Sequence, residues 1–98
     1  MVLSVGHITQ VVNDFFDAKP VKTVWLFGSY ARGEADENSD VDVLVDIDYS
    51  VPIGWDYFTW NEELARQLNK KVDIVSLGWE NKYIKPFIDA DKKVIYER

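Results

Sequence analysis

The run Ser39-Asp40-Val41-Asp42-Val43-Leu44-Val45-Asp46-Ile47-Asp48 decides the fold. Val41, Val43, Val45 and Ile47 alternate with Asp40, Asp42, Leu44, Asp46 and Asp48. A period of two predicts a strand with one buried face. Asp40 and Asp42 then share the other face, roughly 7 Å apart. Two ionised carboxylates at that spacing repel each other, so the pair is a poor choice for stability alone. A divalent cation reverses the sign of that energy. Hard carboxylate oxygens suit Mg²⁺, which takes one or two of them together with phosphate oxygens and water. Asp46 and Asp48 lie roughly 13 Å or more from Asp42, too far to join one metal cluster. They are expected to be solvated strand-end charges.

Working outward, Ile8, Val11, Val12, Phe15 and Phe16 recur at helical spacing and predict a helix over Ser4–Phe16, ended by Pro20. Thr23–Phe27 is rich in β-branched and aromatic residues and predicts a strand that stops at Gly28. A short helix over Ser29–Arg32 follows, with Gly33 as a left-handed terminator. Beyond the acidic strand, Pro52 and Gly54 mark a turn. Tyr57, Trp60, Leu64 and Leu68 then form the stripe of a helix over Trp55–Leu68. Lys71–Leu77 predicts a strand with Val72 and Ile74 on one side and Asp73 and Val75 on the other. Glu80–Ile88 predicts a helical segment in which Pro86 makes a kink or a fresh start. Lys93–Tyr96 predicts a closing strand. There is no internal repeat, low-complexity tract or linker, so residues 1–98 are expected to form one domain. Its class is α/β (α+β), a small mixed sheet flanked by helices.

Three further groups can carry chemistry. Asp73 lies between apolar neighbours in a strand, where an unpaired charge is costly. It is either salt-bridged or, if its strand lies beside the Asp40–Asp42 strand, the third member of a carboxylate cluster. Such a cluster can hold two cations roughly 4 Å apart. Gly28 and Ser29 join a strand end to a helix start. A residue without Cβ lets a ligand approach the backbone, and a helix start offers unpaired N–H groups. Alone, that dipeptide is an ordinary turn. Arg32 falls on the same side of the turn and can neutralise phosphate charge.

Together, Gly28-Ser29-Tyr30-Ala31-Arg32-Gly33 and Ser39-Asp40-Val41-Asp42-Val43-Leu44-Val45 closely resemble the signature of the DNA polymerase β-like nucleotidyltransferase superfamily. Within it, the chain is similar to the minimal nucleotidyltransferase (MNT) antitoxins over nearly its whole length. The resemblance implies transfer of a nucleoside monophosphate to a hydroxyl with loss of pyrophosphate. It implies that Gly28 and Ser29 cradle the triphosphate, with Arg32 as a further phosphate ligand. Asp40 and Asp42 bind two Mg²⁺ ions, and Asp73 binds the catalytic ion and helps to deprotonate the acceptor. It also implies a partner, a helical HEPN-type toxin whose tyrosine receives AMP from ATP. Larger relatives close a helical domain over the base, so the pockets here are expected to be open or completed by another chain.

Composition bounds these readings. With 47% hydrophobic and 14% aromatic residues, the chain can build a core and is not expected to be disordered. It contains no cysteine, which excludes disulfides and thiolate metal sites and makes a reducing cytoplasm the default address. No apolar run approaches the roughly 20 residues of a bilayer span, and no secretory signal is visible. A net charge of −6 repels nucleic-acid backbones, so no broad nucleic-acid binding is expected. Two rival functions fit as well. One is a binding module that neutralises a basic partner by contact alone. The other is a transferase acting on a small molecule or a nucleic-acid end. His7 is expected to be a capping or exposed residue and Trp25 and Trp60 to be core; Trp55 and Trp79 sit near element starts, where a partner surface is one alternative.

Overall fold

The structure, a computed structural model, describes residues 2–98. Helix α1 (Val5–Phe16) starts at Ser4, whose Oγ accepts from the His7 backbone N–H at 3.0 Å. Strand β1 (Val21–Phe27), helix α2 (Ser29–Arg32) and strand β2 (Val41–Ile47) follow. Next come a 3-10 turn (Trp55–Thr59), helix α3 (Trp60–Leu68) and strand β3 (Val72–Ser76). Helix α4 (Lys85–Asp91) and strand β4 (Lys93–Glu97) complete the order. The expected mixed class and the order of elements both hold.

Strand ends shift by one or two residues, β1 starting at Val21 rather than Thr23, and two helical segments differ more. The segment 55–68 is divided because Trp55 and Phe58 face solvent. Only Trp60, Leu64 and Leu68 have a buried stripe to hold an α-helical period. The Thr59 hydroxyl donates to the Asp56 carbonyl at 2.8 Å, tightening the first turn. The helix expected from Glu80 starts instead at Lys85 and runs on to Asp91. Asn81 ties the preceding residues into a turn, its side-chain oxygen accepting from the Tyr83 N–H at 2.8 Å. Pro86 then occupies the first turn, a fresh start rather than a kink.

The sheet order is β3-β2-β1-β4. β1 pairs antiparallel with both β2 and β4, while β2 and β3 run parallel and are joined through α3. Register gives the sheet two unlike faces. Val41, Val43 and Val45 stand beside Leu26, Val24, Val72 and Ile74 and meet α1 and α3. That face is closed and apolar, with Phe16 and Trp60 edge to face at 5.7 Å. The opposite face carries Asp42 beside Phe27 and Asp73, and Leu44 beside Trp25 and Val75. Among the described residues, α4 is the helix that covers it, through Ile88 on Leu44 and Phe27. Leu44 is therefore buried on the acidic side of β2, so this strand has a core residue on both faces. Trp60 is core as expected. Trp25 is only half-buried, on the acid face, with the Lys92 ammonium 5.5 Å from its ring centroid.

Asp48 corrects the expectation of a solvated charge. It is buried, and it accepts from the Ser50 hydroxyl at 2.6 Å, the Ser50 N–H at 3.1 Å and Arg98 Nη2 at 2.7 Å. The Ser50 hydroxyl, then Arg98 and the Ser50 amide, hold its carboxyl well below the usual carboxylate range. The free edge of β3 is blunted by Asn61, whose Oδ1 accepts from the Ile74 N–H at 3.0 Å.

Candidate active site

The site begins where β1 ends. Gly28 has φ 77° and ψ −156°, a conformation open to glycine and strained for other residues. A Cβ there would also collide with Oδ2 of Asp42. The missing side chain is thus required twice, by the backbone and by the carboxylate beside it. Ser29 then opens α2, where the Arg32 N–H donates to the Gly28 carbonyl at 3.1 Å. Among the described residues, no side chain caps the N-terminus of α2, which leaves its first amides open to a ligand or solvent. Gly33 is left-handed, as expected, and ends the helix. Tyr30 packs into the core, and its hydroxyl accepts from the Leu3 N–H at 3.4 Å.

Asp42 is the next residue across the sheet. It lies opposite Phe27 on β1 and opposite Asp73 on β3. The parallel register places the two acids side by side, one strand spacing apart, on the same face. Asp73 faces solvent on the edge strand, and Asp42 is half-buried. Asp40 lies just before β2, with Lys71 Nζ 3.8 Å from its Oδ2. Burial, then the Asp73 charge, then the Asp40 charge push the Asp42 carboxyl up to about 6, opposed only by Arg32. This is the charge frustration expected of gathered acids that Arg32 and Lys71 only partly offset. Among the described residues, no three His, Cys, Asp or Glu side chains converge into a ready-made metal cage. The arrangement is an open row of acids.

Arg32 points across the mouth of the site to α4. Its Nη1 lies 2.6 Å from Asp91 Oδ2, and its Nε lies 3.3 Å from Glu34 Oε2. The Asp91 and Glu34 hydrogen bonds raise its already high pKa. Its reach to Asp91 crosses 59 positions of sequence. Local spacing shows nothing of such a partner. The other feature missed by spacing is a groove of about 840 Å³ where the ends of β2 and β3 meet the 49–58 segment, lined by residues including Ile47, Tyr49, Tyr57, Ile74, Ser76 and Trp79. The exposed aromatic residues near Trp55 and Trp79 were its only sequence signal.

Comparisons with known proteins agree with this geometry. The family described as "Polymerase beta, Nucleotidyltransferase" matches residues 10–98. A Methanocaldococcus jannaschii protein named "Putative protein adenylyltransferase MJ1379" is 40% identical over 77 residues, spanning 76% of this chain and 77% of its own. "Protein adenylyltransferase MntA" of Thermococcus cleftensis is 44% identical over 55 residues, 56% of this chain and 54% of that protein. Among solved structures, a toxin-antitoxin with AMP-PNP superposes with a TM-score of 0.75 at 21% identity. It covers 92% of this chain and 73% of that one. A tri-AMPylated Shewanella oneidensis HEPN toxin in complex with MNT antitoxin gives a TM-score of 0.62 at 19% identity, covering 95% and 69%. These structural likenesses concern the fold. With a family match over residues 10–98 and a 40% identical relative over most of its length, the chain belongs to the polymerase beta nucleotidyltransferase family.

Proposed function

We propose that this chain is an antitoxin that transfers AMP from ATP to a hydroxyl of a partner protein, a tyrosine of a HEPN-type toxin, in the cytoplasm. The observation that carries the reading is the pairing of Asp42 with Asp73 on one sheet face, with Gly28 packed against Asp42. Relatives named as protein adenylyltransferases and the complexes of MNT antitoxin with HEPN toxin support the choice of AMP and of a toxin partner.

The residues fit Mg²⁺. Asp42 carries a charge that burial and two neighbouring acids oppose, and the open row leaves room for phosphate oxygens and water to complete each shell. Asp40 and Asp42 would hold two ions, and Asp73 would share the catalytic one. When bound, Mg²⁺ supplies neutralisation of the phosphate charge and lowers the barrier to displacement. The chain's own residues do the rest. Gly28 and the first amides of α2, with Ser29, seat the β- and γ-phosphates, and Arg32 adds positive charge at the rim. Asp73 takes the proton of the acceptor hydroxyl as its oxygen bonds to the α-phosphorus. The bond from that phosphorus to the bridging oxygen breaks, and pyrophosphate leaves. Positioning and electrostatics carry such a reaction.

The test is to incubate the protein with labelled ATP, Mg²⁺ and its partner, alongside Asp42→Ala. Label on the partner is expected with wild type only. Equal labelling by the two proteins removes the reading, and neutralisation that survives loss of Asp40 and Asp42 favours the contact-only alternative.

A further inference from the structure

The cation at the mouth of the site is held from a second helix, and the hold begins with the packing of α4. Ile88 is buried against Leu44 and Phe27, which fixes the rotation of α4 on the acid face. Asp91 lies one turn further along and shares that side of the helix. There it meets Arg32, whose Nη1 donates to Asp91 Oδ2 at 2.6 Å. The lysines at the two ends of α4 do not compete for it, because Lys85 and Lys92 pair with Asp89 at 2.9 and 3.1 Å. Of the two acids on Arg32, Asp91 is the better shielded, its side chain 15% exposed against 64% for Glu34. Solvent and salt therefore weaken the Glu34 contact more.

These contacts leave the guanidinium only partly committed. It carries more N–H donors than they use. Nε donates to Glu34 and Nη1 to Asp91, and among the described residues Nη2 has no hydrogen-bond partner. The charge of Arg32 reaches Asp42, opposing the upward push on that carboxyl, yet its ion pairs are with Asp91 and Glu34. Without Asp91, the row of acids is the competing attraction for this long side chain. An Arg32 drawn onto Asp42 would neutralise a carboxylate needed for a cation and would turn its donors away from a phosphate.

We propose that Asp91 is a positioning residue for nucleotide binding: from α4 it holds the Arg32 guanidinium at the mouth of the site, off the row of acids, with donors left for the phosphates of a nucleoside triphosphate. The proposal rests on the transferase reading for its ligand. A guanidinium ordered beforehand loses less freedom when phosphate arrives, and its planar fork is suited to that oxygen pair. Asp91 itself touches no reacting atom and acts through Arg32.

The test measures ATP affinity with Mg²⁺, using ATP that carries a fluorophore on its ribose. The samples are wild type, Asp91→Ala, Asp91→Glu, Arg32→Ala and the double variant of Arg32→Ala with Asp91→Ala. Each single alanine variant is expected to weaken binding about tenfold, and the double variant to bind no more weakly than Arg32→Ala alone. Asp91→Glu should restore most of the loss. In labelled-AMP transfer the loss should fall on KM for ATP, with kcat within about threefold of wild type. Thermal unfolding checks the fold, and Asp91→Asn, which keeps the side-chain size, takes the place of Asp91→Ala should that variant unfold. Losses that add in the double variant overturn the proposal, because Asp91 would then act on the packing of α4 and not through Arg32. So does tighter ATP binding by Asp91→Ala, which would make the acid a competitor of the phosphates. Unchanged affinity in Asp91→Ala with transfer intact removes the positioning role and keeps the transferase. Coupled losses of affinity with no transfer by any sample remove the transferase and keep the positioning role. A wild type that does not bind ATP removes both.

Discussion

The two faces of the sheet are built from the same strands and serve opposite ends. On the face toward α1 and α3, Val43, Val45, Val24 and Leu26 are fully buried among apolar neighbours. On the other face the intervening residues include Asp42 and Asp73, and the one covering helix reaches only Leu44 and Phe27 with Ile88. The closed face lowers the free energy of the folded chain. The acid face raises it, because like charges are held together at partial burial. What makes the acids tolerable in the free protein is the surplus of the closed face behind them.

Substitutions can break or sharpen that contrast. The largest expected effect is on activity: Asp42→Ala should lower AMP transfer by about a thousandfold or more while the protein remains folded. Labelled-ATP transfer measures the first half and thermal unfolding the second. On the closed face, Leu64→Ala removes a fully buried side chain and should cost about 3 kcal/mol in urea unfolding. A loss well below 1 kcal/mol would show that α3 is not part of the support. Gly28→Ala lies where the faces meet. It should cost about 1–3 kcal/mol from its φ alone, and it should impair transfer further by displacing Asp42.

The smallest effect tests the sign of the acid face. The Asp42 carboxyl titrates near 6 in the folded chain and at about 3.8 when unfolded, so between those values the folded state binds more protons. Stability from this group therefore falls as pH rises through that window and stays low above it. Asp42→Asn should stabilise the metal-free protein at pH 8 by on the order of 1 kcal/mol, once solvent screening of a half-exposed group is allowed for. Its advantage should vanish below about pH 4. A variant less stable than wild type at pH 8 would mean that Asp42 is held by a partner rather than strained.

How much of this was legible in the sequence follows from distance along the chain. The alternation of Val41 to Ile47 wrote both the strand and its acid side into neighbouring residues. Gly28 and Gly33 announced a turn that only glycine fits comfortably. The place of Asp73 beside Asp42 depends on a parallel pairing that no local pattern encodes; the family resemblance anticipated it, while periodicity supplied only the strand. Charge partners were harder still. Asp48 looked like a solvated end because Arg98 is 50 positions away, and Arg32 looked free because Asp91 is on another helix. The division at Thr59 escaped because Tyr57 falls at helical spacing with Trp60, Leu64 and Leu68, although it belongs to the 3-10 turn.

The parallel joining of β2 to β3 also orders the events by which the row of acids comes into being. Gly28 and Asp42 meet across an antiparallel pair closed by a short stretch of chain, so they can approach as soon as both have left the ribosome. Asp73 joins them only after the chain has passed through α3 and returned to the far side of β2. On the proposed mechanism, a nascent or partly unfolded chain lacks the group that would receive the acceptor proton. Transfer would then be a property of the finished molecule, and unfinished copies would not modify the proteins they touch.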